Sequence, residues 1–220
     1  MYASSCINPE IPFLQPEDKG LTALGLLEEL KYSEMPLVED DKYIGLVTEM
    51  DLLDYECIDG ELALLRSKIE SPFIYEDDHI FNAVSKMVNE ELSVLPVITN
   101  DEKYVGSIDK ASALQVIARA EAYRNPGGII QLEMGIHDYS VAEISRLVES
   151  NDLKLLYLNL TPTPDSNKLL VTLMLNKPNL NPVIQTFERF GYTITASFHT
   201  DETADDLKKR YDSFLRYLNP

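Results

Sequence analysis

Tryptophan is absent from this 220-residue chain, cysteine occurs twice and histidine three times. Each scarcity removes a class of chemistry. Cys6 and Cys57 have no Cys-x-x-Cys spacing, so neither a disulfide framework nor a zinc site is expected. His79, His137 and His199 are far apart and read as surface or loop residues, so no metal ligands are assigned. No apolar run approaches the ~18 residues of a membrane span, and Met1 to Cys6 carries neither the basic start nor the apolar stretch of a secretory signal. A cytoplasmic protein without membrane association is the expectation. Paired carboxylates in a catalytic context, a nucleophile elbow and a phosphate-cradling glycine loop are all missing, which points away from an enzyme.

Positive charge is scarce as well. Lysine and arginine number 19 against 37 acidic residues, for a net charge of −18. The imbalance is local: residues 1–120 hold 24 acids and 9 bases, whereas residues 121–220 hold 13 and 10. Such a field repels nucleic acid and anionic lipid, and it disfavours free nucleotides unless magnesium accompanies them. An acidic surface that only maintains solubility explains the same numbers.

What the chain does have is a repeat with a period of about sixty residues. Pro12-Phe13, Asp18, Ala23, Ser33 and Pro36 recur as Pro72-Phe73, Asp78, Ala83, Ser93 and Pro96, and Lys42-Tyr43-Ile44-Gly45 recurs as Lys103-Tyr104-Val105-Gly106. A unit of this kind buries its apolar face against its twin. Each copy, about 7–54 and 68–122, reads as an extended segment, a helix, two strands and a second helix start. Leu24, Leu27 and Leu30 mark one helix face, and Ile80, Val84, Met87 and Val88 the other. Leu62, Leu65 and Ile69 suggest a connecting helix within 52–71. A helix after Ile108 is expected to run to about Tyr123, where Asn125-Pro126-Gly127-Gly128 marks a domain boundary. Residues 125–200 then read strand, helix, strand, strand, helix, strand, the ferredoxin-like split order. Their first helix starts at Asp138 or Ser140, and Leu153 to Leu160 and Leu169 to Leu175 are its middle strands. Leu207, Tyr211, Phe214 and Leu218 give residues 201–220 the spacing of a C-terminal helix.

The copies diverge after their shared glycine. The first reads Gly45-Leu46-Val47-Thr48-Glu49-Met50-Asp51, and the second Gly106-Ser107-Ile108-Asp109-Lys110-Ala111-Ser112. Thr48 and Asp51 fall where a strand gives way to a helix. There a hydroxyl and free amides suit a phosphate, and a carboxylate suits the two hydroxyls of a ribose. Thr-x-x-Asp also fits a capping box that needs no ligand.

The repeat and its Gly-Leu-Val-Thr-Glu-Met-Asp segment resemble a tandem pair of CBS domains over about residues 7–120. The resemblance implies an α+β Bateman-type module, with a cleft for AMP, ADP, ATP or S-adenosylmethionine, possible magnesium, and a homodimer. Carried onto this chain, Thr48 contacts phosphate, Asp51 contacts ribose, and the base lies against Ile11, Pro12, Met35 and Pro36. Asp109 and Ser112 depart from the pattern, so the second site reads as lost or altered. Residues 128–198 resemble an ACT domain, which implies an amino-acid effector loop at Gly135, His137 and Asp138, although Tyr139-Ser140 stands where Pro-Gly is frequent. The layout is similar to acetoin-utilisation accessory proteins. Together these readings imply a CBS pair over 1–124, an ACT-like domain over 125–200 and a helix over 201–220. The expected function is non-catalytic sensing of an adenosine derivative, signalled through dimer geometry to a regulated partner that the sequence does not identify. A ligand-free interaction scaffold or an acetoin-utilisation-type accessory protein is the alternative.

Overall fold

The computed structural model describes residues 1–55, 57–119, 121–124, 127–164 and 167–198. The helix expected over 201–220 and His199 lie outside them. Two compact units divide between Ala118 and Arg119. In the first, α1 (Gly20–Leu30), β1 (Glu34–Glu39), β2 (Lys42–Thr48) and α2 (Glu49–Asp54) make one repeat. Its twin consists of β3 (Ile74–Tyr75), α3 (Ile80–Asn89), β4 (Val94–Ile98), β5 (Tyr104–Asp109) and α4 (Lys110–Ile117).

The duplication extends to the register of the strands. Met35 pairs with Val47 in the antiparallel β1–β2 ladder, and Leu95 pairs with Ile108 in β4–β5. Both ladders slip at the same place, between Leu37 and Val38 and between Val97 and Ile98. Parallel pairing of β3 with β4 has its counterpart in the single bridge of Leu14 to Leu37.

Helix burial follows the repeat more closely than the leucine stripes do. α1 buries Gly20, Ala23 and Leu27, and α3 buries Ile80, Ala83 and Met87. Small residues at 23 and 83 let each helix lie close to its strands. Leu24, Leu30 and Val84 are left on the flanks, only partly buried, and Val88 is 68% exposed.

Two expected helices are corrected. Between 52 and 71 the chain forms only a single 3-10 turn, Leu62–Leu65, after α2 ends at Asp54. The Leu62 and Ala63 amides bond to Asp18 O and Pro16 O at 2.9 Å, so the backbone donors serve tertiary contacts instead of a helix ladder. The helix after Ile108 stops at Ile117, just past Val116, its last buried position, and a separate turn, α5 (Glu121–Arg124), follows.

The segments preceding each repeat are exchanged. Ala3 and Cys6 enter the core of the second repeat with Ile74, Ile80 and Ile108. Leu62 and Leu65 enter the core of the first with Leu27, Val47 and Leu52. Asn8 N bonds to Ser107 O at 2.9 Å, and Leu46 N bonds to Glu70 O at 2.8 Å. The shared glycines lie where these segments cross. A Cβ on Gly45 would meet Glu70 O at 2.8 Å, and one on Gly106 would meet Ile7 Cγ2 at 2.6 Å.

The second unit contains β6 (Gly128–Gly135), α6 (Val141–Glu149), β7 (Leu155–Pro162), β8 (Lys168–Leu175), α7 (Asn181–Arg189) and β9 (Thr193–Phe198). Its sheet order is β7-β8-β6-β9, with every pair antiparallel, which is the ferredoxin-like topology. Ile130, Leu132, Val171 and Leu173 meet Ile144, Leu147, Val183 and Phe187 in the core. Ser140, rather than Asp138, caps α6 by accepting the Glu143 amide at 3.3 Å, while Asp138 belongs to the preceding 3-10 turn. β7 continues two residues past Leu160, to Pro162.

Candidate functional site

At the end of β2, Thr48 has extended backbone angles and caps α2. Its Oγ1 accepts the Asp51 amide at 3.1 Å. Asp51 Oδ2 in turn accepts the Thr48 amide at 2.9 Å and the Thr48 hydroxyl at 2.6 Å. The capping box is therefore complete. The Thr48 hydroxyl gives its proton to Asp51 and so holds the carboxylate in place. Both bonds to the carboxylate use Oδ2. Asp51 Oδ1 has no partner among the described residues, and a carboxylate has about four acceptor positions, so capping and ligand contact are compatible.

Thr48 and Asp51 open on a cavity of about 390 Å³, whose other walls are Glu34, Leu46, Met50, the Lys68, Glu70 and Pro72 segment, and Glu90 to Leu92. The four residues expected against a base are not in its lining. Met35 is fully buried in the first repeat's core with Leu14, and Pro36 gives its carbonyl to the Leu14 amide at 2.7 Å. Ile11 is buried, and the segment leading to it and to the half-buried Pro12 runs along the second repeat through Asn8. The exchange of segments is the physical reason. It places Glu70 and Pro72, the twins of Glu10 and Pro12, beside Thr48. Gly45 and Gly106 carried the signal, because a glycine shared by both hairpins marks a close backbone approach.

The cavity is acidic. Glu34, Asp51, Glu70, Glu90 and Glu91 face only one base, Lys68, and its ammonium lies 4.4 Å from the Tyr55 ring centroid. These carboxylates do not converge: among the described residues no group of three acidic, histidine or cysteine side chains is placed to hold a metal ion.

Glu34 was not singled out by sequence reasoning. It is 4% exposed, and its Oε1 accepts the Ser93 amide at 2.5 Å, the Ser93 hydroxyl at 3.0 Å and the Val94 amide at 2.7 Å. Burial of a carboxylate is tolerated because donors replace its water. An acid opening the strand ahead of the apolar run Met35 to Val38, where the twin strand opens with Val94, was the available signal.

The twin cleft is built differently. Asp109 caps α4, its Oδ1 accepting the Ser112 amide at 2.7 Å and the Ser112 hydroxyl at 2.5 Å. Oδ2 accepts the Tyr32 hydroxyl at 2.8 Å and Asn8 Nδ2 at 3.0 Å. Burial raises the Asp109 pKa, but the bonds from Ser112, Tyr32 and Asn8 outweigh it and hold the carboxyl below its usual value. Burial and the bond to Asp109 push the Tyr32 phenol up to about 12.

In the second unit, Gly135 and Asp138 line a cavity of about 510 Å³ together with Glu133, Glu143, Lys168 and Tyr192. His137 is outside this lining. Lys168 Nζ pairs with Glu133 at 2.7 Å. Burial, then Glu143, raises the Tyr192 phenol. Tyr139 packs against the core.

The CBS domain family model matches residues 3–57 and 67–119. An uncharacterized protein of Methanocaldococcus jannaschii is 29% identical over 101 residues, which cover 44% of this chain and 47% of the relative. The chain thus spans about half the length of that curated relative. Among solved structures, a CBS domain pair/ACT domain protein from Thermotoga maritima is 20% identical with a TM-score of 0.48, covering 56% of this chain and 100% of that one. An acetoin utilization protein from Vibrio cholerae is 17% identical with a TM-score of 0.46, covering 53% and 90%.

Proposed function

Residues 3–57 and 67–119 form a tandem pair of CBS domains, and from that premise we propose that this is a non-catalytic regulatory protein whose Thr48–Asp51 cleft takes an adenosine-containing metabolite. The observation that carries the reading is the open Oδ1 of Asp51 on a 390 Å³ cavity. The capping box fixes the carboxylate before a ligand arrives, so little ordering cost falls on binding. The ribose diol then donates to Oδ1.

The lining favours S-adenosylmethionine over free AMP, ADP or ATP. Five carboxylates and one lysine repel phosphates and attract a sulfonium and an ammonium. A nucleotide fits the same charge only with magnesium beside it. Ligand occupancy acts through its different affinity for two arrangements of the paired domains in a homodimer. The second unit is read as an ACT-like domain, with an amino-acid effector at the Gly135 and Asp138 loop.

Calorimetric titration of AMP, ADP and ATP, with and without magnesium, and of S-adenosylmethionine tests the reading. Wild type binds S-adenosylmethionine most tightly, and Asp51→Ala weakens it at least tenfold, the scale of a hydrogen bond to a charged group. Absence of saturable binding by all four removes the sensing function. The completed capping box favours one competitor, a ligand-free interaction scaffold. Thermal stabilisation by a ligand separates the two, because a compound that prefers the folded state raises its apparent stability.

A further inference from the structure

We propose that Tyr32 closes the second cleft from within, so that each chain carries one open ligand site instead of two. This inference rests on the assignment of the Thr48–Asp51 cavity as the first site. The two clefts share their framework. Asp109 is the twin of Thr48, Ser112 of Asp51, Asn8 of Lys68 and Tyr32 of Leu92. Both helices preceding the last pair are followed by a left-handed residue, Lys31 at φ 61° and Glu91 at φ 56°, so the turns deliver their next side chains alike.

The side chains then decide the outcome. Leu92 has no polar atom and stands in the wall of the open cavity. Tyr32 instead extends its hydroxyl to Asp109 Oδ2, at 2.8 Å. With Asn8 and both Ser112 donors in place, all four acceptor positions of that carboxylate are occupied. Asp109 is 6% exposed. A ligand hydroxyl finds no acceptor there until the phenol leaves, and Tyr32 acts as a built-in substitute for it.

The test exchanges the twin residues. Adenosine is the probe, because it is neutral and carries the ribose diol. By equilibrium dialysis, wild type binds one adenosine per chain, Tyr32→Leu binds two, and Leu92→Tyr loses at least tenfold in affinity. Wild-type stoichiometry in Tyr32→Leu overturns the proposal, as does wild-type affinity in Leu92→Tyr. If wild type binds no adenosine, the first-site assignment fails by itself, and one site gained in Tyr32→Leu still supports closure. A ligand-free measurement decides when no protein binds: iodoacetamide alkylates Ser112→Cys at least tenfold faster when Tyr32→Leu is added. Equal rates in the two backgrounds overturn the closure.

Discussion

Glu34 reaches across the repeat to Ser93, its Oε1 accepting both the amide at 2.5 Å and the hydroxyl at 3.0 Å. The same oxygen takes the Val94 amide at 2.7 Å, at a fully buried position. Removing the carboxylate leaves two amides without an acceptor, each costing about 1–3 kcal/mol. Glu34→Ala is therefore expected to lower the unfolding free energy by about 2–6 kcal/mol, measured by urea denaturation. Glu34→Gln keeps a carbonyl acceptor and loses less. An unchanged midpoint for Glu34→Ala would mean that this bond does not hold the repeats together.

The Tyr32–Asp109 bond makes stability depend on pH at both ends of the scale. Asp109 titrates below its unfolded value of about 3.9. Its contribution is present above that pH and disappears as pH falls through the folded value. Tyr32 behaves oppositely. Its folded value of about 12 exceeds the ordinary phenol value of 10.0, so its contribution is complete below pH ~10 and declines as pH rises towards 12. Tyr32→Phe flattens the alkaline decline, and Asp109→Asn flattens the acid one. Tyrosinate absorbance in a pH titration checks the first effect directly. In Asp109→Asn the Tyr32 transition moves down only in part, because burial, the larger cause, remains, and failure to move contradicts the contribution assigned to Asp109.

Thr48 is expected to matter for stability more than for ligand charge. Thr48→Ala removes the hydroxyl that accepts the Asp51 amide and donates to its carboxylate. Loss of an N-cap of this kind costs about 0.5–2 kcal/mol. Thr48→Ser retains both bonds and restores most of that loss. Comparing the melting temperatures of the two variants decides the matter, and equal temperatures would show that the box adds nothing.

Period and pattern were enough to read the architecture of both units. The sixty-residue spacing identified the first helix and the hairpin of each repeat, because twin residues meet the same burial and register demands. The alternation around Ile130 and the spacing of Ile144 and Val148 similarly identified the β6–α6 start of the second unit. Contacts between distant segments were not legible. Leu62 and Leu65 have helical spacing, yet their turn is held by amide bonds to Pro16 and Asp18 that no local pattern encodes. The walls of the cleft were not legible for the same reason, since an exchange of segments puts Glu70 and Pro72 in the lining where Ile11 and Pro12 were expected. Asp109 differs from its twin Thr48 in the sequence itself. Its partners, Asn8 and Tyr32, lie 101 and 77 residues away, so nothing local marks them.

The charge of the first cleft leads to the last prediction. Glu90 and Glu91 are exposed and line the cavity without an ion pair to a cavity residue, the Lys86 contact of Glu90 being a weak 3.9 Å pair on the helix surface. Two unit charges roughly 8 Å apart in water interact by about 0.5 kcal/mol. Neutralising both glutamates thus changes binding of a singly charged ligand by about 1 kcal/mol, or about fivefold. Glu90→Gln/Glu91→Gln is expected to bind AMP more tightly and S-adenosylmethionine more weakly, with the ratio of their affinities shifting by more than tenfold. Raising the salt concentration in wild type should move the ratio in the same direction, because exposed charges are screened within a Debye length of about 10 Å at 0.1 M. A ratio that is indifferent to both changes would show that ligand charge is not what the acidic wall selects.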